Sequence, residues 1–336
     1  MSELALLLRD FHGPRRSEHV QSLPRLPALE RWLSQGTSAP AEGGWRGWLA
    51  RELLGAGPVA GAAGWAAGGL LPGAAGRHFW FATPVHYLAG LDTVHLHPAG
   101  LLQLGPDEQT ALAADFERVF GDSPWNLHAL GFRELLLEGL DPGPHETTEA
   151  AAVLGGDLGT AQPRGAGARA LRQLAAEVEM WLHEHALNRA RERRGELPLS
   201  GLWFWGGGRA ERPRADARSG AARNGAWRLH ADDAFSAGLA AVADLPLQAL
   251  PAAAAVAVDA AAAPKTIIVL PADCAAGVED LLRLEREWFA PLLASLASGR
   301  WSALTLVQGG CRHELRAAHR WRWWRRPHAW WDNLQR

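Results

Sequence analysis

The chain has little of what thiol, lysine and polybasic chemistry require. Its 336 residues include only two cysteines, Cys274 and Cys311. That excludes a disulfide framework and any multi-cysteine zinc or iron–sulfur site, and leaves both as single buried thiols. Lysine is nearly absent: Lys265 stands alone among 34 basic residues. There is no phosphate-loop lysine and one candidate for a Schiff base. An excess of one charge is lacking too, with 34 basic against 36 acidic residues and a net charge of −2, which argues against a wholesale nucleic-acid binder. No run of about 18 uncharged apolar residues could cross a bilayer; the Ala-rich stretch 251–263 is short and interrupted by Asp259. The opening apolar run meets Arg9 and Asp10 too soon for a secretory signal. No G-x-S-x-G elbow is present. These absences lead us to expect a soluble, cytoplasmic protein.

What the chain has in quantity is apolar surface, 48% of residues, and tryptophan, 17 copies. Indoles favour positions where the ring is buried and the N–H finds a partner, so core packing is the expectation for most of them. The length suits two modest domains or one large one, at roughly 100–200 residues per domain. Residues 3–10 read as a short buried strand whose apolar run is ended by a charge, and 24–35 and 45–54 as helices on apolar spacing. The Gly/Ala-rich 55–76 reads as a packed loop or weak helix. Strands follow at 77–87 and 93–105, then a helix at 106–121 with an acidic first turn and Gly121 beyond its end. A hairpin around Gly131 is expected at 127–139. One long helix is expected from 168 to about 195, a strand over 201–205, a Gly-Gly-Gly loop, and a solvated Arg-rich loop over 209–226. A strand at 265–271, a helix at 278–299 interrupted near Pro291, and a hairpin over 301–316 complete the pattern. Helices alternating with short apolar strands indicate an α/β fold, a mixed sheet with flanking helices. The expected division is 1–140, a linker or long loop at 141–167, and 168–336, with one intertwined domain as the alternative.

The most informative segment is 181–208. On a helical wheel, Leu171, Leu174, Val178, Trp181 and Leu182 share one face, which His185 continues. Asn188 and Arg191 follow at i+3 and i+6, giving a polar ridge at the helix end. Arg189, Arg191, Arg193 and Arg194 suit a helix C-terminus, but His185 and Asn188 have no such explanation. Beyond lie Trp203, Trp205 and Gly206-Gly207-Gly208, where missing side chains let a ligand or another backbone approach and expose N–H groups to an anion. The plain alternative is a flexible exit from the strand. His86, after Pro84, is a further pocket candidate or a satisfied strand-end histidine. His95 and His97 share a strand face as surface residues. His183 and His185 point about 200° apart on a helix and cannot share a zinc.

His185, Asn188, Arg191, Gly195, Pro198, Gly206 and Gly208 resemble the H-P-x-N-x-x-R-x-x-x-G-x-x-P-x-N…R-G-x-G signature of archaeal-type cofactor-independent phosphoglycerate mutases, which belong to the alkaline-phosphatase superfamily. Over most of 77–326 the chain also resembles the bacterial RpfE-type regulatory proteins, a phosphoglycerate-mutase-like group. The shared marks are Pro84-Val85-His86, the 183–208 block, the run from Trp288 to Leu293, and a Trp/Arg-rich end. Ala186, Ser200 and Trp205 depart from the mutase signature, the last removing a phosphate-clamping arginine. The resemblance implies a Ser or Thr nucleophile beside two divalent metals about 4 Å apart. It also implies an Asp after the first strand and Asp/His pairs late in the chain. Asp10 is placed for the first. Asp244, Asp259, Asp273 and Asp280 lack a neighbouring His, and His313, His319 and His328 lack a preceding Asp. The segments Asp92 to His95 and His230 to Asp233 have the wrong place or order.

The expectation is a degenerate mutase-like scaffold with no metal, no cofactor and no catalytic residue assigned. It would bind a small anionic or phosphorylated ligand, or a regulatory protein partner, through His185, Asn188, Arg191 and Gly206–Gly208. His86, Trp203 and Trp205 would add to that pocket. The alternative is an active phosphoglycerate mutase or other phosphoryl-transfer enzyme. The tail 319–331, HRWRWWRRPHAWW, suits packing on the protein's own core, a partner or anionic membrane contact; nucleic acid is the least favoured.

Overall fold

The computed structural model describes residues 2–9, 23–55, 61–90, 92–210, 227–254, 264–271, 277–322 and 324–333. Expectations at Asp10, 211–226, 255–263, Asp273 and Cys274 lie outside the described residues. In chain order the first elements are β1 (Glu3–Leu8), α1 (Pro27–Gln35), β2 (Thr37–Pro40), α2 (Gly44–Leu54), α3 (Ala62–Leu70), β3 (His78–Ala89) and β4 (Val94–Leu101). Next come α4 (Pro106–Phe120), β5 (Asn126–His128), β6 (Leu135–Gly139), α5 (Ala150–Val153), α6 (Leu158–Ala161), α7 (Ala168–His183) and α8 (Ala186–Arg193). Then follow β7 (Gly201–Arg209), β8 (Trp227–His230), α9 (Ala234–Val242), β9 (Leu247–Gln248), β10 (Lys265–Leu270), β11 (Ala303–Gln308) and β12 (Cys311–Arg316). The α/β expectation holds. The chain divides into two compact units, 1–58 with 214–232 and 240–336, and 59–213 with 233–239. Residues 141–167 fall inside the second unit. Among the described residues no helix is long and apolar enough to cross a membrane.

The first unit holds a seven-stranded mixed sheet, β2-β12-β11-β1-β10-β8-β9. β1 pairs in parallel with both β10 and β11, Leu6 standing opposite Ile268 and Leu306. Its unbroken apolar run fits a central parallel strand covered on both faces. Leu4, Leu6 and Leu8 pack with Leu29 and Trp32 of α1, with Trp288, Phe289, Leu292 and Leu296, and with Trp301 and Trp330. The helix after β10 is interrupted as expected: Val278–Leu284, a π-helical turn over Glu285–Phe289, then Ala290–Ala297. Pro291 has no N–H and its ring crowds the carbonyl four residues back, so the ladder widens ahead of it. That turn presents Glu285, whose carboxylate accepts from Ala28 N at 2.5 Å and Leu29 N at 3.2 Å. It thereby satisfies the N-terminus of α1, which has no cap of its own.

The second unit is built on β3, which pairs antiparallel with β4, β6 and β7. Trp80 and Ala82 of β3 and Leu202 and Phe204 of β7 share a core with Leu112 and Phe116 of α4 and with Leu171, Leu174, Val178 and Leu182 of α7. Two expectations are corrected here. The helix from 168 is not continuous: it ends at His183, and His185 is the N-cap of α8, its side chain accepting from Leu187 N. The polar ridge therefore starts a new helix. The glycines are also not a loop after the strand, because β7 runs through them to Arg209. Gly206 and Gly207 lie opposite the single residue Trp80, between the pairs Phe81–Trp205 and Phe79–Gly208. Gly206 has φ +66°, so this is a bulge with its glycine in the left-handed region.

Candidate functional site

The signature residues converge on one stretch of chain, residues 197–200, which leads into β7. Asn188 donates from Nδ2 to Leu182 O and Leu199 O, both at 2.8 Å, and its Oδ1 accepts from Leu199 N at 2.7 Å. Arg191 donates from Nε to Leu197 O at 2.9 Å. His86 Nδ1 lies 2.9 Å from Pro198 O and 3.1 Å from Ser200 Oγ. Ser200 Oγ in turn accepts from Tyr87 N at 3.1 Å. Four consecutive residues are thus gripped by side chains from β3 and α8. Strand β7 starts from a fixed point.

Two acids on α4 complete the arrangement. Glu108 takes Arg191 Nη1 at 3.0 Å and also Arg194, while Asp115 lies 3.1 Å from His185 Nε2. Since His185 Nδ1 accepts from Leu187 N at 3.2 Å, Nε2 carries the proton and donates to Asp115. Burial favours the neutral ring and holds this imidazole below its usual pKa, against the pull of Asp115 toward the charged form. His185, Asn188 and Arg191 are all buried. Every side-chain polar atom of Asn188 is engaged, and the cation of Arg191 already faces a carboxylate. An anion at the ridge would have to compete with Glu108 and Asp115 for these partners.

The glycines are at the other end of the strand. Leu199 and Gly206 are seven residues apart, about 23 Å of extended chain, so the structure does not bring the ridge and the glycines together. Each glycine has a packing reason. Beyond the bulge at Gly206, a Cβ on Gly207 would lie 2.3 Å from Trp80 Nε1 and 2.7 Å from His145 Nε2. One on Gly208 would lie 2.5 Å from Gly61 N, at the start of α3. Gly206 N donates to Thr147 Oγ1 at 3.1 Å. Trp203 and Trp205 are buried anchors, their indole N–H groups donating to Thr148 O at 2.7 Å and Thr83 Oγ1 at 2.8 Å.

The bulged end carries a cluster that sequence reasoning missed. His78 stacks on Trp80 at 4.4 Å, and Trp80 Nε1 donates to His145 Nε2 at 3.1 Å. His145 Nδ1 is satisfied by Gly143 O at 2.8 Å. Neither ring nitrogen of His78 has a hydrogen-bond partner, although the side chain is only 11% exposed. Burial pushes its pKa down; Asp141, 3.8 Å away, opposes this, while His145 and Arg209 add to it. Strand alternation was the available signal, since it places His78 and Trp80 on one face.

The donors among the described residues do not fit two divalent ions. Among the described residues no three His, Cys, Asp or Glu side chains stand where they could hold one ion. The nearest sequence candidates have other tasks. His230 Nδ1 lies 2.8 Å from Ala249 O, Asp232 pairs with Arg9, and Asp233 accepts from Ser236 N. His95 is held by Thr93 Oγ1 at 2.7 Å.

No known family profile matches the chain, and no curated protein matches it. Among solved structures, it is similar to the PH0037 protein from Pyrococcus horikoshii at 11% identity and TM-score 0.50, over 93% of this chain and 86% of that one. The likeness is one of fold. It also overlaps the cofactor-independent phosphoglycerate mutase from Thermoplasma acidophilum DSM 1728 at 15% identity and TM-score 0.40, over 94% and 89%. That overlap is too loose for chemistry to be taken from it.

Proposed function

We propose that this chain is a mutase-like regulatory protein that acts by binding, without metal-dependent phosphoryl transfer. The observation that carries this reading is the commitment of His185, Asn188 and Arg191 to protein partners. Residues resembling a phosphate-handling signature serve instead to fix the start of β7. The ligand is a small anion or phosphorylated acid, and its site is the bulged end of β7 rather than the ridge. There the nitrogens of His78 lack partners and Arg209 contributes a cation. Asp141, 68% exposed, is the acid an anion would displace.

Calorimetric titration with inorganic phosphate and 3-phosphoglycerate tests this. Binding should strengthen as pH falls toward the depressed pKa of His78, because the ring must gain a proton to attract an anion. His78→Leu should abolish it, and Arg191→Ala should leave it intact. Loss of binding in Arg191→Ala alone would return the site to the ridge. No saturable binding at millimolar ligand would remove the anion and leave only a protein partner.

A further inference from the structure

Between Leu315 and Trp331 the chain has five arginines, Arg316, Arg320, Arg322, Arg325 and Arg326, and no acid, although its net charge is −2. Part of this segment is pinned to the first unit. Arg322 Nη1 donates to Gln35 O at 3.0 Å and Thr37 Oγ1 at 3.1 Å, and Arg325 Nη1 to Gly36 O at 3.1 Å. These carbonyls close the C-terminal end of α1, where a cation is favoured. Further on, Trp330 is fully buried, its Nε1 donating to Pro24 O at 3.0 Å, and Trp331 packs against the same core.

With those anchors set, Trp321 and Trp324 are left 65% and 63% exposed. Large aromatics three positions apart on a pinned segment, among guanidinium groups, form a preset surface. Its apolar area is small, roughly 300 Å² if a whole tryptophan offers about 250 Å². A standard protein interface takes about 800 Å² from each partner. A bilayer asks for less: a few amphipathic rings at headgroup depth and cations near anionic lipid.

We propose that Arg316, Trp321, Trp324, Arg325 and Arg326 form a peripheral docking patch for an anionic lipid bilayer. Trp321 and Trp324 enter the headgroup layer, and the exposed Arg326 and its neighbours meet the lipid anions. This is independent of the anion reading at His78.

The test is co-sedimentation of the full chain with vesicles of phosphatidylcholine, either pure or with about one third phosphatidylserine, at about 0.1 M salt. The patch predicts binding to the anionic vesicles, little to the neutral ones, and weakening as salt rises. The double variant Trp321→Ala, Trp324→Ala should lose at least about tenfold in partition, and Arg326→Gln about fivefold. Both should keep the wild-type melting curve, because the altered side chains are exposed. Equal partition into neutral and anionic vesicles, or wild-type binding by the double variant, would overturn the proposal. So would binding to polyglutamate with none to vesicles, which would assign the patch to an acidic protein.

Discussion

Replacing Asn188 by alanine distinguishes a brace from a ligand site. In the structure this amide bonds both the N–H and the carbonyl of Leu199, a fully buried residue, and also reaches Leu182 O. Leu182 O keeps a bond from His185 N at 3.1 Å, so its loss is partial. Leu199 N and O lose the partner altogether, and each buried group left unsatisfied costs about 1–3 kcal/mol. The expected destabilisation is about 4 kcal/mol, or roughly 10 °C in melting temperature for a unit of this size. Scanning calorimetry measures it directly. Asn188→Asp should be worse at neutral pH, since a carboxylate would face the carbonyls of Leu182 and Leu199, and should recover in acid as that group protonates. A melting temperature within about 2 °C of wild type, together with lost phosphate binding, would refute the brace.

Arg191→Ala removes bonds to Leu197 O and Glu108 and should cost about 2–3 kcal/mol in urea unfolding. Gly207→Ala drives a Cβ into Trp80 and His145; a loss of about 3 kcal/mol and an altered near-ultraviolet dichroism signal should report it. Trp330→Ala should cost about 3–5 kcal/mol through its buried ring; an unchanged melt would place the tail outside the core. His313 is buried with Nδ1 lacking a partner, and burial lowers its pKa from 6.5 to about 4. In that window the unfolded chain binds the extra proton, so stability is full above pH 6.5 and falls as pH drops toward 4. The loss is about 3 kcal/mol, at 1.36 kcal/mol per unit. His313→Phe should flatten that part of the stability profile, and an unchanged slope would contradict it.

Much of this fold is legible in the sequence because its signals are local. The unbroken run Glu3–Leu8, the acidic first turn of α4 and the hairpin around Gly131 each state their structure within a few residues. The break before α8 is different. Nothing between Leu182 and Asn188 is a glycine or proline, and apolar spacing runs smoothly through it. It exists because residues 197–200 fold back to be held by Asn188 and Arg191, a contact between segments that a helical wheel does not represent. The glycines misled for a related reason. Three in a row suggest an open loop, whereas here Gly206 takes the left-handed bulge conformation and Gly207 and Gly208 make room for Trp80, His145 and Gly61. Which residues would face the ridge was equally hidden, since Glu108 and Asp115 are about 80 and 70 positions away in the chain.

The most direct test of the central claim is turnover of 3-phosphoglycerate to 2-phosphoglycerate, followed by a coupled assay with added Mn²⁺, before and after EDTA. If the signature residues are a brace and the protein works by binding, the rate should stay at that of the protein-free control in both conditions. Turnover that requires Mn²⁺ and stops with the chelator would contradict the account.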